Sequence, residues 1–384
     1  MSTIRVNAIQ NTSTTDGGIS IDNSGHVSIE GQKLPSAGPL TNRNLIINGA
    51  MQVAQRGTQV TGVTASGYRT CDRFEFAPIS LGTWTVDQDT NAPDGFSNSF
   101  KVTCTTADAS PAANDQCFIL YGIEAQDLQS LGFGTSGAKA TTLSFWVRSN
   151  KTGNASIALL QRDNSAKLVS FQYSISSADT WEHKTISIPA DTAGVINNDN
   201  GEGLQIEWWL NSGSNKTGGS HQAAWSTYDE ANRNVSNLGV GGATSDYFQI
   251  TGVQLEVGEV ATPFEHRSYA DELRRCQRYF YAHNCADTYN MVAMGFYTGT
   301  NSYIGMHTVP VPFRAAPSLS TSGNFQTAHD SGNSTASSIV LADEPGGNVL
   351  IQIRCTTSST PSGEGAFLRN NNDATATFTL SAEL

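Results

Sequence analysis

The sequence predicts an all-β protein with an N-terminal β-hairpin, a jelly-roll β-sandwich, a short linking helix and a C-terminal β-sandwich. Two observations lead to this prediction. Short runs that alternate apolar and polar residues recur along most of the chain, separated by turn residues that include many of its 36 glycines. The length of 384 residues exceeds what one sandwich needs and suits two domains with an appendage.

The composition narrows the classes of partner. Charged residues make up 15% of the chain, which is low, so the surface is polar mainly through hydroxyl and amide groups. The net charge is -12 and the 22 Lys and Arg residues are scattered, whereas phosphate binding needs clustered cations. We therefore expect no nucleic-acid partner. With no long apolar run and no signal-peptide core at the start, we also expect no membrane insertion and no export signal.

The six cysteines show neither a CxxC pair nor the spacing of metal ligands. Because a protein assembled in the cytosol keeps its thiols reduced, we expect buried thiols instead of disulfides. No metal is expected.

The first domain, residues 1–42, contains a predicted hairpin. Its apolar residues are β-branched and alternate around a polar turn at Asp22–Gly25: Ile19, Ile21, Val27 and Ile29. A hairpin of this size cannot bury enough surface to be stable alone. Three copies wound together, or a socket on another protein, would supply the missing core. The alternative is a disordered tail.

The second domain, residues 43–265, has the pattern of an antiparallel sandwich. Alternation is clear in four segments and in the closing stretch of the domain: 143–148, 169–175, 184–188, 204–210 and 248–257. No helical periodicity separates these strands.

The third domain, residues 266–384, begins with a predicted helix over 268–280. One apolar stripe, at spacings of four, three and four, consists of Tyr269, Leu273, Cys276 and Phe280. A helix this short needs packing to persist, and three stripes on a threefold axis would provide it. The β-rich stretch that follows has prolines at 310, 312 and 317, which confine their segment to an edge or a connection.

Catalytic patterns are missing from the sequence. Glycoside hydrolysis needs two carboxyl groups about 5 to 9 Å apart, and no spacing pairs any of the acidic residues near strands, namely Asp72, Glu75, Glu182, Glu207 and Asp246. Motifs for serine hydrolases, nucleotide binding or zinc proteases are also missing. We expect no enzymatic activity and no cofactor. The histidines stand apart, so His183, His266 and His283 are interpreted as structural residues.

Aromatic side chains are the remaining candidates for binding. Trp208 and Trp209 are adjacent on a strand, so one faces the core and the other is a candidate for exposure. Trp225 and Tyr228 lie in a long segment, 211–246, that lacks strand alternation and is predicted to be a recognition loop. Alternatively, Trp225 packs beneath its own loop. In the C-terminal domain the candidates are Tyr297, Tyr303 and Phe325.

Several motifs resemble a known family. The segments Asn44-Leu-Ile-Ile-Asn-Gly49, Leu143-Ser-Phe-Trp-Val-Arg148 and Thr251-Gly-Val-Gln-Leu-Glu-Val257 together resemble jelly-roll carbohydrate-binding modules as they occur inside phage fibres. The pairing of Arg275-Cys-Gln-Arg-Tyr-Phe280 with Val311-Pro-Phe-Arg-Ala-Ala-Pro317 resembles the C-terminal parts of bacteriophage tail fibres and virion adhesins.

This resemblance implies a homotrimeric, non-enzymatic tail fibre exposed on the virion. Residues 1–42 would attach it to other virion proteins, and the C-terminal tip would meet a glycan or protein receptor on the bacterial surface. Weak contacts would become tight through multivalency. A capsid decoration or head-fibre protein is the alternative from another class, and a polysaccharide-degrading tailspike is a further one.

Overall fold

The computed structural model describes residues 8–10, 18–29, 31–35, 38–163, 166–342, 349–358 and 362–384. The chain divides into two compact units, Met1–Ser268 and Tyr269–Leu384. Antiparallel strands form nearly all of the regular structure in both units. Within the described ranges, no helix has the length and apolar content needed to cross a membrane.

The N-terminal segment forms a small antiparallel sheet of β1 (Ala8–Gln10), β2 (Gly18–Ile21), β3 (Val27–Ile29) and β4 (Gln32–Lys33). The predicted hairpin is present between β2 and β3. Its turn is closed by Asp22, whose Oδ1 accepts hydrogen bonds from the backbone N–H groups of Ser24 and His26, each at 2.9 Å. Gly25 has a φ of 85°, which favours glycine at this position.

The pairing register places the isoleucines of this sheet side by side. Ile19 on β2 pairs with Ile9 on β1 and with Ile29 on β3, and Ile21 pairs with Val27. Paired residues share one face of a sheet. The three paired isoleucines are exposed, which leaves an apolar sheet face, here called the isoleucine face, uncovered by the residues that the structure describes.

Thirteen further strands complete the first unit: β5 (Gln59–Val63), β6 (Gly67–Tyr68), β7 (Glu75–Ile79), β8 (Thr83–Asp89), β9 (Ser99–Thr106), β10 (Gln116–Glu124), β11 (Thr141–Ser149), β12 (Gly153–Gln161), β13 (Lys167–Ile175), β14 (Glu182–Ile188), β15 (Glu202–Ser212), β16 (Ser226–Thr227) and β17 (Tyr247–Val257). Short helical turns are 3₁₀ segments at Ala125–Leu131 and Glu230–Asn232 and the helix α1 (Ser214–Thr217).

These strands form two packed sheets, as the sequence predicts. The β15 sheet has the order β16-β13-β12-β15-β10-β7-β6, and the β11 sheet has the order β14-β11-β17-β9-β8-β5. One large apolar core lies between them, in which Trp208 of β15 meets Phe145 of β11 edge to face, with ring centroids 5.9 Å apart.

The segment 44–50 has no regular secondary structure. Its asparagines replace ladder hydrogen bonds with side-chain bonds to the neighbouring backbone. Asn44 Nδ2 donates to the Val253 carbonyl at 3.1 Å, and Asn44 Oδ1 accepts from the Leu255 N–H at 3.1 Å. Gly49 lies so close to β17 that an added Cβ would stand 2.1 Å from the Val253 oxygen. The segment therefore covers the part of β17 that β9 leaves unpaired.

The segment 211–246 covers the outer face of the β15 sheet. The outward rings of Phe118 and Trp209 lie beneath it with centroids 4.7 Å apart, in a second small core that also holds Leu160 and Leu168. Trp208 and Trp209 do face opposite ways, but both are fully buried. The expectation that one of them is exposed is wrong, because this segment packs as a layer on the sheet.

The second unit contains α2 (Tyr269–Gln277) and nine strands: β18 (Phe280–His283), β19 (Met291–Gly299), β20 (Ser302–Thr308), β21 (Ser318–Ser322), β22 (Phe325–His329), β23 (Gly332–Leu341), β24 (Leu350–Thr357), β25 (Gly365–Asn370) and β26 (Thr377–Ser381). β19-β20-β24-β23-β22-β25 close into a barrel, and β18-β26-β21 form a separate sheet. The predicted C-terminal sandwich is therefore corrected to a barrel with an added sheet.

Two large tyrosine side chains fill the interior of the barrel. Tyr297 and Tyr303 are fully buried, with ring centroids 6.0 Å apart and approximately edge to face. Gly305 makes room for them, since an added Cβ would stand 2.3 Å from the Tyr303 hydroxyl. The three prolines at 310, 312 and 317 lie in the connection between β20 and β21, as predicted.

The apolar stripe of α2 is only partly available to a partner. The helix ends at Gln277, before the predicted end at 280, so Phe280 begins β18 instead of continuing the stripe. Cys276 and Phe280 are buried within the chain, whereas Tyr269 is exposed and Leu273 is partly buried. The prediction of a four-residue trimer seam is corrected accordingly, because half of the stripe already packs intramolecularly.

All six cysteines are buried thiols, as the sequence predicts. Burial raises the pKa of the Cys71 and Cys117 thiols well above their ordinary value and raises that of Cys355 to about 12. These groups are neutral near pH 7 and act as small apolar residues of the two cores.

Candidate functional site

The outward face of β11 carries the residue around which the candidate site is built. Side chains of a strand alternate between faces. Phe145 and Val147 point into the core and are fully buried, while Trp146 between them points outward and is partly exposed. Trp146 thus stands on the outer face of the β11 sheet.

A bulge in β17 gives Trp146 its space. The β11–β17 register shifts between Ser144 and Trp146, so that Gly252 and Val253 stand opposite a single residue of β11. Gly252 has a φ of 60°. An added Cβ there would lie 2.7 Å from Phe96 Cζ and 2.9 Å from Trp146 Cδ1. Only glycine permits both the backbone conformation and the approach of these two rings.

Five rings border a hollow on this face, here called the aromatic depression. Phe96, Phe264 and His266 form one cluster, with centroid separations of 5.0 Å, 5.3 Å and 4.9 Å. Trp146 and His183 form the other, 5.1 Å apart. His183 stands directly opposite Trp146 in the pairing of β14 with β11.

The chain after β17 is held in place by side chains of that strand. Glu256 accepts hydrogen bonds from the Thr262 N–H at 2.8 Å and from the Thr262 hydroxyl at 2.7 Å. Gln254 Oε1 accepts from the Glu265 N–H at 2.8 Å. Because the backbone is fixed on both sides of Phe264, its ring has a defined position on the sheet.

The aromatic depression has the size of a small-ligand site. Its volume is about 650 Å³, within the range of a few hundred to about a thousand Å³ that is typical of such sites. Gly31, Gln32 and Lys33 of the N-terminal sheet close one side, and Asp94 lies on the rim. Apolar ring faces are therefore combined with a few polar groups at the edge.

The pKa values of two titratable groups, one in the aromatic depression and one beside it, are shifted from their ordinary values. Burial, followed by the charge of Lys184, lowers the pKa of His183, so its imidazole is neutral near pH 7 with one donor and one acceptor. Burial raises the pKa of Glu265, but hydrogen bonds from the Asn44 and Arg43 N–H groups and the charge of Arg267 outweigh it and hold that pKa below its ordinary value. Glu265 is thus a fixed anion of the scaffold.

The predicted loop aromatics are not part of the aromatic depression. Trp225 is partly buried, its Nε1 donates to the Pro189 carbonyl at 2.8 Å, and its ring meets Phe133 edge to face at 5.8 Å. It packs at the edge of the large core against residues from other parts of the chain, so the alternative interpretation, in which it packs beneath its own loop, is also corrected. Tyr228 is 37% exposed and lies beside Arg233, whose Nη1 donates to its hydroxyl at 3.3 Å.

The predicted aromatics of the C-terminal unit are core residues. Tyr297, Tyr303 and Phe325 are buried inside the barrel and belong to its apolar cluster. The expectation that they present a binding surface is corrected, since their inward strand positions fill the barrel.

Sequence reasoning missed Trp146, Phe96 and Phe264 and assigned structural roles to His183 and His266. A signal for Trp146 was present, because alternation in the segment 143–148 places it on the face opposite Phe145. No comparable signal existed for Phe96 and Phe264, which reach the sheet from irregular segments.

The acidic residues considered for catalysis hold loops and strands together. Asp72 accepts from the Gln55 N–H at 3.0 Å, Glu182 pairs with Lys184 at 2.6 Å, and Asp246 accepts from the Gly241 N–H at 3.1 Å. Glu207 forms a buried pair with Arg233. These carboxylates satisfy neighbouring donors of the fold.

Comparisons with known proteins find only distant likeness. No protein-family model and no curated protein matches the sequence. Solved structures include the enzymatically active domain of bacteriophage CBA120 tailspike protein 4, with 14% identity and a TM-score of 0.29, over 56% of this chain and 21% of that one.

Carbohydrate-binding modules also appear among the solved structures. A family 16 module has 11% identity and a TM-score of 0.23, over 44% of this chain and 84% of that one. The family 11 module of a Clostridium thermocellum cellulosomal cellulase has 10% identity and a TM-score of 0.26, over 58% and 97%. Identities and TM-scores this low carry no argument about this chain.

Proposed function

We propose that this protein is a non-enzymatic adhesion fibre of a virion and that its first unit binds glycan in the aromatic depression. The observation that carries the proposal is the pair of ring clusters, Trp146 with His183 and Phe96 with Phe264 and His266, around one hollow. The motifs that resemble phage fibres support the virion setting.

The chemistry of the aromatic depression suits a sugar. Pyranose rings present apolar C–H faces, which pack against flat aromatic side chains. Trp146 and Phe264 are already held by the bulge and by the segment after β17, so little side-chain entropy is lost on binding. His183, Lys33 and Asp94 supply donors and acceptors for hydroxyl groups at the rim.

The test compares two aromatic substitutions in the full chain. Trp146→Ala removes a ring from the aromatic depression, and Tyr228→Ala removes an exposed ring outside it. On an array of bacterial surface glycans, we expect Trp146→Ala to lose at least tenfold in signal while Tyr228→Ala binds like the unmodified protein. Wild-type binding by Trp146→Ala, with the fold verified by circular dichroism, would refute the site.

The absence of enzymatic activity is tested on the glycans that bind. The carboxylates near strands are engaged in structural contacts, which supports binding without cleavage. We expect no new reducing ends after prolonged incubation of the protein with its best-bound polysaccharide. Release of oligosaccharides would make the protein a depolymerising spike.

The isoleucine face supports the association of several chains or their attachment to another virion protein. Ile9, Ile19 and Ile29 form an apolar surface on a sheet too small to be stable alone, which supports packing against further copies or a virion socket. Labelled antibody on purified particles tests the location. We expect label at the tail, whereas label on the head shell would indicate a capsid decoration or head fibre.

A further inference from the structure

The barrel of the second unit carries a patch of exposed apolar side chains on its outer surface. The members are large, uncharged and between 40% and 56% exposed: Met291, Met294, Phe296, Met306 and Phe367. We call them the methionine patch. They come from three neighbouring strands, β25, β19 and β20.

The register makes the methionine patch continuous. Met294 in the centre pairs with Met306 on β20 and with Phe367 on β25. Phe296, two residues along β19, lies on the same face and pairs with Ile304, which is partly exposed. Directly paired residues on one face have Cβ atoms about 5 Å apart, so these side chains are neighbours across the strands.

The patch concentrates a rare residue type. The chain has five methionines, and three of them are in the patch. The largest apolar patch on a typical monomeric protein is of about this size, and such patches often have a function. Methionine side chains are flexible and polarizable, which lets such a surface adapt to its partner.

Size and charge point to a copy of the same chain as the partner. Five large side chains at half exposure offer roughly 500 Å², so two facing patches bury about 1,000 Å², near the lower limit of a specific interface. The centre of the patch carries no charge, and Arg354 and Arg369 stand at its margins, opposite Ile304 and Met291. An uncharged centre can meet its own copy without electrostatic repulsion.

We propose that the methionine patch is a contact surface between copies of this chain. The contact is made by side chains, because the closed barrel leaves no free strand edge at the patch. This inference is independent of glycan binding and of the isoleucine face, since it rests on the barrel alone.

Methionine oxidation in the full-length protein tests the proposal. A brief low dose of hydrogen peroxide, read by peptide mass spectrometry, reports the exposure of each methionine. We expect Met294 and Met306 to oxidise at least fivefold more slowly at high than at low protein concentration, while buried Met51 stays slow throughout. Fast oxidation of both methionines at every concentration refutes the contact, and slow oxidation that persists after dilution to the monomer indicates an intramolecular cover instead.

A charged substitution in the methionine patch provides a second test of the proposed contact. Met294→Lys places a charge in the patch, and Thr335→Lys places the same charge at an exposed position on β23, which stands across the barrel from β19. We expect Met294→Lys to abolish the concentration-dependent protection of Met306 and Thr335→Lys to preserve it. Met294→Gln serves if the lysine variant does not fold. Protection of Met306 in a folded Met294 variant as strong as in wild type would overturn the proposal.

Discussion

A single glycine shapes the aromatic depression. Gly252 combines a left-handed backbone conformation with close contact to Phe96 and Trp146, so the bulge and the two rings depend on each other. A side chain at this position would strain the backbone and displace the rings together.

Gly252→Ala is expected to destabilise the first unit. The left-handed conformation alone costs about 1 to 2 kcal/mol for alanine, and the clash with two rings adds about 2 kcal/mol. Gly239→Ala is the matched control, because Gly239 has a φ of 70° but no atom within 4 Å of its added Cβ. Denaturant unfolding followed by tryptophan fluorescence should show the larger loss for Gly252→Ala. Equal losses of unfolding free energy in the two variants would mean that Phe96 and Trp146 move aside without cost.

A buried ion pair beneath the segment 211–246 is a second place where the stability of the first unit depends on one side chain. Glu207 accepts from Arg233 Nε at 3.0 Å and from Trp209 Nε1 at 3.0 Å, and it is fully buried. The Arg233 guanidinium also lies 4.8 Å from the centroid of the Trp209 ring. The pair therefore ties the segment to the sheet.

Arg233→Met should cost about 3 to 5 kcal/mol, because it leaves a buried carboxylate without its counter-ion. The control is Arg162→Met, which breaks the more exposed pair with Glu202 and should cost at most about 1 kcal/mol. Adding Glu207→Gln to Arg233→Met should recover part of the loss. If the two single arginine variants are equally stable in urea, the buried pair does not hold the segment.

At the scale of the element, β20 places a histidine in a dry environment. His307 is buried, and its Nδ1 donates to the Val292 carbonyl at 2.6 Å. Its Nε2 has no hydrogen-bond partner within the described part of the chain. The ring packs against Tyr281 and His283 of β18 and against Phe378 of β26. Burial, the largest effect, and the neighbouring His283 lower the pKa of His307 below 6.5.

This histidine predicts that the second unit loses stability in acid. Because the pKa is lower in the folded than in the unfolded chain, the unfolded state binds more protons as the pH falls. The contribution of the neutral His307 to the stability of the second unit is fully present above pH 6.5 and decreases below it. His283 has the same direction of shift and adds to the effect.

Calorimetry between about pH 8 and about pH 4.5 measures this dependence, because that interval extends roughly 1.5 to 2 pH units on either side of the ordinary histidine pKa. All six tryptophans lie in the first unit, so tryptophan fluorescence identifies the unfolding transition of that unit. The remaining calorimetric transition is then assigned to the second unit, which contains the barrel. His307→Asn should flatten the pH dependence of the barrel transition, whereas His266→Asn in the first unit should not. An unchanged slope in His307→Asn would contradict the assignment.

At the scale of the whole molecule, adhesion depends on how many chains act together. A fibre that carries several aromatic depressions engages a surface by contacts that become intramolecular after the first, which multiplies weak affinities. The isoleucine face is the surface through which we expect the N-terminal segments to associate.

Ile19→Asp is predicted to disrupt this association, since it places a carboxylate in the middle of the isoleucine face. Ser20→Asp is the control, because it adds the same charge on the opposite face of β2. Light scattering should give about three times the mass of the 40.9 kDa chain for wild type and Ser20→Asp, and less for Ile19→Asp. A wild-type monomer at micromolar concentration would refute the trimer.

The sequence by itself determined the β-rich class, the hairpin around Asp22–Gly25, most sandwich strands and the buried thiols. These properties follow from local alternation and turn chemistry, which are written in adjacent residues. It also carried the position of Trp146, through its alternation with Phe145.

Only the tertiary structure decided which aromatic residues are exposed and which meet. Trp209 is covered by a distant segment, and Tyr303 faces the interior of a barrel whose closure depends on pairing between strands far apart in the chain. Phe264 reaches Trp146's side of the sheet because Gln254 and Glu256 anchor the chain after β17. Such outcomes depend on which element packs on which face, and a period of two along one strand is the same whether that face meets water or another layer of protein.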